Sequence, residues 1–118
     1  MQKVYRLKSS KAFDYVYGKG RSVSDTIIVL MYVRNRTGNL KAGFTVSKKV
    51  GNSVVRNKVR RRLKEAFRAL IPRANKGHTY VVLARSPIVR AEYSTIVTSL
   101  TILMQRAGLL IGENENNR

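Results

Sequence analysis

From residue 55 to residue 70, apolar side chains recur at Val55, Val59, Leu63, Ala66 and Leu70, the i, i+4, i+8, i+11, i+15 pattern of a helix. Such a stripe has to be buried, so the chain needs a second layer for this helix to lie on. At about 100° per residue the opposite side gathers Asn57, Arg60, Arg61, Lys64 and Arg68. Arg56 and Arg62 fall on the flanks, where long stems cover apolar surface while the charged heads stay in water. Asn52 or Ser53 can cap the start, because a short oxygen-bearing side chain accepts from the free N–H groups of the first turn. Pro72 disfavours helix at Ile71 and sets the end there. Glu65 is the one acid among these cations. Like charges packed this closely call for an anion from outside the chain.

The whole composition leans the same way. The chain has 118 residues, 24 Lys and Arg against 6 Asp and Glu, and a formal net charge of +18. A hydrophobic content of 43% separates it from a disordered basic tail. One domain over residues 1–118 is expected, with a polar, frayed tail at 112–118. There is no cysteine and a single histidine, His78. That excludes a disulfide framework, a thiolate zinc site and a multi-histidine metal site. No apolar run is long enough to span a membrane, and residues 1–6 lack the apolar stretch of a secretory signal. These features describe a soluble, cytoplasmic polyanion binder with no membrane partner.

In chain order, Lys3, Arg6 and Lys8 form a basic lead. Ser9 or Ser10 caps a short helix through Ala12, Phe13, Val16 and Tyr17 that ends at Gly18. Phe13 and Tyr17 share a face at i, i+4, which suits either a core or a stacking surface for unpaired bases. Arg21-Ser22-Val23-Ser24 leads into the β-branched run Thr26 to Val33, which reads as a buried strand. Arg34-Asn35-Arg36-Thr37-Gly38-Asn39 reads as a basic hairpin loop, and Leu40 to Ser47 as a second strand antiparallel to the first. Beyond the basic helix come a turn at residues 73–77, a strand at Tyr80 to Ala84, and a final amphipathic helix carrying Ile96, Val97, Leu100, Leu103 and Met104. These segments read in order as α, β, β, α, β, α, and with one further leading strand the expected order is αβββαβα. Either way the class is α+β, a two-layer α/β sandwich.

No catalytic constellation emerges. The acids Asp14, Asp25, Glu65, Glu92, Glu113 and Glu115 form no carboxylate pair within one motif, and His78 reads as a solvated loop residue before a strand. The turn Val50-Gly51-Asn52-Ser53 resembles a loop-to-helix anion site, without the second glycine and Lys-Ser/Thr ending of a P-loop. The residues therefore leave an RNA-binding protein of ribosomal type, a DNA-binding module and a protein-only nuclease all open. Against the DNA reading, no second helix packs before the basic one as in a helix-turn-helix.

The stretch from Gly43-Phe44-Thr45-Val46 through Lys48-Lys49-Val50-Gly51-Asn52-Ser53 to Arg56-Asn57, Arg60-Arg61 and Lys64-Glu65-Ala66-Phe67 resembles the signature of the bacterial ribonuclease P protein subunit, including its Arg-Asn motif and the basic cluster after it. Arg6-Leu7-Lys8 with Phe13, Gly18-Lys19-Gly20 with Ser22, and Ala84-Arg85-Ser86-Pro87 extend the similarity along nearly the whole chain.

The resemblance implies a ribonucleoprotein that removes the 5′ leader from precursor tRNA, in which the RNA subunit is the catalyst, uses divalent metal such as Mg2+, and the protein assists. It implies a left-handed βαβ crossover holding the basic helix between parallel strands. It implies contacts to the catalytic RNA from Lys48, Lys49, Asn52, Ser53, Arg56, Asn57, Arg60, Arg61, Lys64 and Arg68. It places the single-stranded leader at Phe13, Tyr17, Met31, Val46 and Lys48, and gives no protein residue as a metal ligand. Two positions depart from the family pattern. Met31 stands where an aromatic is frequent and stacks less specifically than a ring. Lys64 stands where arginine is common and lacks the planar fork for a bidentate phosphate contact.

Overall fold

A computed structural model describes residues 5–111. The frayed tail expected at 112–118, with Glu113 and Glu115, and Lys3 of the basic lead lie outside the described residues.

The elements run α1 (Ser10–Lys19), β1 (Arg21–Ser24), β2 (Ile28–Arg34), β3 (Lys41–Thr45), α2 (Ser53–Leu70), β4 (His78–Ala84) and α3 (Tyr93–Arg106). Short 3-10 turns follow α2 at Ile71–Arg73 and β4 at Ser86–Arg90. Ser9 caps α1, its hydroxyl accepting from Ala12 N at 3.1 Å. The helix runs past Gly18, its expected end, to Lys19. Of the two candidate caps for α2 it is Asn52 that accepts, from Val55 N at 3.0 Å. Pro72 ends α2 by turning the chain into the 3-10 segment.

The strand order is β1-β2-β4-β3, and this corrects the hairpin reading of residues 34–39. β3 does run opposite to β2, but the two are not paired. β4 lies between them, antiparallel to β2 and parallel to β3. The reason lies in burial: Tyr80, Val81 and Val82 are all enclosed, so β4 has both faces covered and takes the central place. β3, α2 and β4 thus form a parallel crossover unit with the basic helix as its connection.

Strand alternation divides the sheet into two unlike faces. Ile28, Leu30, Ala42, Tyr80 and Val82 point to one side, where Val59, Leu63, Ala66, Phe67 and Leu70 of α2 meet Ile96, Leu100, Leu103 and Met104 of α3 in a single core. This α2–α3 layer on the sheet is the two-layer sandwich. Phe67 stands at its centre, 5.8 Å from the Phe44 ring edge-on and 5.3 Å from the Tyr80 ring. Burying each large apolar side chain here is worth roughly 1.5–3 kcal/mol. Asp25 ties the layer to the β1–β2 turn, accepting from Ile27 N, Ile28 N and the Ser99 hydroxyl of α3.

The other face is covered in part by α1. Phe13 lies on Gly43, where a Cβ would come within 2.3 Å of its ring, so this close approach requires glycine.

Candidate RNA interface

The outer face of α2 presents the row of cations that its period dictates. Asn57, Arg61 and Arg68 are exposed, while Arg56, Arg60, Arg62 and Lys64 are half-buried along their stems. Arg60 Nη1 donates to Asn57 Oδ1 at 2.9 Å, which holds the two as one unit. Arg68 pairs with Glu65 at 3.0 Å. Arg60, Arg61 and Lys64 have no carboxylate of the described residues within ion-pairing distance. Burial first, then the charges of Arg6 and Arg60, hold the Lys64 ammonium below its ordinary range. Arg6 reaches this cluster because the chain before α1 runs beside β3, bridging Ala42 in parallel, with Leu7 N donating to Ala42 O at 3.0 Å. A phosphate would relieve this crowding, since it supplies the acceptor and the opposite charge together.

Lys48 and Lys49 are exposed on the turn before α2, which is braced by Val50 N donating to Ser47 O at 3.0 Å. Asn52 and Ser53 are exposed as well. Asn52 commits its side-chain oxygen to the cap, so Ser53 is the freer of the two.

A second group gathers on the α1 face of the sheet. Phe13 and Tyr17 lie one helical turn apart with ring centroids at 6.4 Å, and the Tyr17 hydroxyl meets Thr45 Oγ1 at 3.0 Å. Met31 shares this face: it is opposite Val81 on β4, which is in turn opposite Gly43 on β3, beneath Phe13. Phe13, Tyr17, Met31 and Thr45 therefore lie on one face of the sheet, two rings beside a largely apolar strip. Val46 is not brought there. It is buried in the α2–α3 core, one residue out of phase with Gly43 and Thr45, and Thr45 takes the place expected for it. The sequence carried the signal in the alternation of Leu40, Ala42, Phe44 and Val46 against Lys41, Gly43, Thr45 and Ser47. Arg6 stands in the basic lead that the sequence shows, but only the pairing of its segment with β3 brings it to Lys64.

His78 begins β4 instead of preceding it. It is half-buried beside the Tyr32 and Tyr80 rings, with Nδ1 3.1 Å from Asn75 Oδ1. Burial, and then the charge of Arg34, lower its pKa. Among the described residues no three His, Cys, Asp or Glu side chains come together to hold a metal ion, and no helix is long and apolar enough to cross a membrane.

Comparison with known proteins gives one answer. The family model described as Ribonuclease P matches residues 1–108. The chain is 38% identical over 114 residues to the ribonuclease P protein component of Thermoanaerobacter sp. (strain X514), covering 97% of this chain and 98% of the relative. It is 40% identical over 111 residues to that of Symbiobacterium thermophilum, covering 93% and 96%. Among solved structures, the RNase P protein of Staphylococcus aureus superposes with a TM-score of 0.82 at 31% identity, covering 92% of this chain and 99% of that one. That of Thermotoga maritima does so with 0.78 at 27%, covering 86% and 96%.

Proposed function

The chain belongs to the ribonuclease P protein family, and from that premise we propose how its two faces divide the work of the holoenzyme. As a family member it is the RNA-binding protein subunit of ribonuclease P, the endonuclease of tRNA 5′ maturation, and its partner is the ribonuclease P RNA.

The outer face of α2 docks on that RNA. The observation that carries this reading is the crowding of Arg6, Arg60 and Lys64 without a carboxylate partner among the described residues. Arg56, Asn57, Arg61 and Arg68 extend the row along the helix, and Lys48, Lys49, Asn52 and Ser53 extend it into the turn. Such contacts supply affinity and fix orientation without reading sequence. The cleft of Phe13, Tyr17, Met31 and Thr45 takes the single-stranded 5′ leader of precursor tRNA, with Lys48 on a leader phosphate. Rings accept any base face, so leaders of different sequence are held alike. Precursor is thereby favoured over mature tRNA, which lacks the leader. The hydrolysis and the divalent ions it uses are assigned to the RNA, and the side chains of this chain bind and orient. Residues 1–118 act as one domain, in the cytoplasm where precursor tRNA is made.

The deciding experiment is cleavage of 5′-labelled precursor tRNA by a bacterial ribonuclease P RNA at low magnesium, with and without this protein. Strong stimulation at the mature 5′ end, with none from protein alone, is expected. Replacing Arg60 and Arg61 together by Ala should impair assembly with the RNA. Tyr17→Ala should weaken precursor binding selectively, and an equal loss for mature tRNA would overturn the cleft assignment.

A further inference from the structure

On α1, Val16 is buried against the sheet, and Tyr15 and Tyr17 lie about 100° to either side of it. The helix therefore presents these two rings to opposite flanks. Tyr17 faces the cleft already described. On the flank of Tyr15 a second groove, of about 470 Å³, runs between α1 and the β2–β3 loop. Its walls are Tyr15 and Ala12 on one side, Arg34 and Arg36 on the other, with Val33 and Thr79 of the sheet between them.

The loop across from Tyr15 is built, not slack. Asn35 Nδ2 donates to Asn39 O at 3.0 Å and to Thr79 Oγ1 at 3.2 Å, while its Oδ1 accepts from Gly38 N at 3.0 Å. Asn35 N donates to Gly77 O at 2.9 Å, and Gly38 has a φ of 73°, a left-handed conformation that suits glycine. Asn35 thus fixes the loop from within and leaves both arginines exposed. Neither has a carboxylate of the described residues within ion-pairing distance. A further cavity of about 500 Å³ continues beneath the same loop, past Asn75 and His78.

A lone exposed tyrosine carries no message. Tyr15 is 56% exposed and stands in a groove opposite two unpaired guanidinium groups on a braced loop. An aromatic platform beside backbone-tracking cations is the chemistry that holds unpaired nucleotides. We propose that this groove is a second site for an unpaired RNA strand, with a base stacked on Tyr15 and the flanking phosphates on Arg34 and Arg36. It does not depend on what occupies the Tyr17 cleft, from which α1 separates it.

The test is a residue-resolved NMR titration of the full chain with an oligouridylate of about six nucleotides, a length within single-strand site sizes. Saturable shifts are expected at Tyr15, Val33 and Gly38, separately from any at Tyr17 and Thr45. Tyr15→Ala should weaken the first set at least about fivefold and leave the second within about twofold, while Tyr15→Phe keeps the ring and retains binding. Arg34→Ala with Arg36→Ala should weaken the first set and flatten its salt dependence by about 0.7 in log–log slope for each phosphate no longer bound. Absent shifts at Tyr15 and Gly38, equal losses in both sets, or Tyr15→Phe as weak as Tyr15→Ala would overturn the proposal. Silence at Tyr17 and Thr45 alone would count against the leader cleft and leave this site standing.

Discussion

The two faces of the sheet use aromatic side chains for opposite ends. On the α2–α3 side, Phe44, Phe67 and Tyr80 close on one another, and the Tyr80 hydroxyl is satisfied by Asn75 O at 2.8 Å. On the α1 side, Phe13 and Tyr17 lie one helical turn apart on the less covered face, and Tyr17 remains 41% exposed. Rings of the first kind hold the fold together. Rings of the second kind are held by the fold and remain available to a ligand. The difference comes from coverage: two helices pack one face of the sheet, and one short helix crosses the other.

Substitutions can break this comparison in order of size. Phe67→Ala empties the centre of the closed face and should cost about 3–5 kcal/mol in urea unfolding. Gly43→Ala acts on the open face and should still cost about 1–3 kcal/mol, because the new methyl has to displace Phe13. It should also distort the cleft, which a precursor-binding assay would register. Asp25 gives a smaller, pH-dependent effect. Burial raises its pKa, but the Ser99 hydroxyl and the backbone N–H groups of Ile28 and Ile27 outweigh that and hold the carboxyl below its ordinary range. A depressed folded-state value means a contribution present in full above the unfolded pKa and lost as pH falls through the folded one. The unfolding midpoints of the wild type and Asp25→Asn should therefore converge below about pH 4. Smallest is Tyr17→Phe, which removes only an exposed hydrogen bond to Thr45 and should change stability by less than about 0.5 kcal/mol. Precursor binding should survive it, since the ring remains. If Tyr17→Phe proved as costly as Gly43→Ala, the open face would be a packed one after all.

Much of the fold was legible in the sequence. The buried stripe from Val59 to Leu70, the cap at Asn52 and the stop at Pro72 are local properties, set by helical period and backbone chemistry. The alternation of Leu40, Ala42, Phe44 and Val46 was equally local and fixes which residues of β3 face the core. β2 gave no such help, because Val29, Met31 and Val33 are as apolar as Ile28, Leu30 and Tyr32. Partner choice was not legible in the patterning, and only the family resemblance, through its crossover between parallel strands, pointed to the pairing of β3 with β4. Alternation states which way a side chain points and says nothing of which strand lies alongside, so the insertion of β4 between β2 and β3 could not be read from either strand. The cluster of Arg6 with Lys64 and the groove beside Tyr15 depend on such long-range pairings. Each joins residues far apart in sequence, and neither corresponds to a motif.

The strand order β1-β2-β4-β3 also sets a timetable. β2 and β3 leave the ribosome before β4, so their inner edges wait unpaired until residue 84 has emerged as well. The fold cannot close progressively from its N-terminus. During that wait the positive charge already present, 20 Lys and Arg against 3 Asp and Glu over residues 1–84, keeps nascent chains apart by mutual repulsion. The positive charge that later engages RNA thus first protects an unfinished sheet from its neighbours.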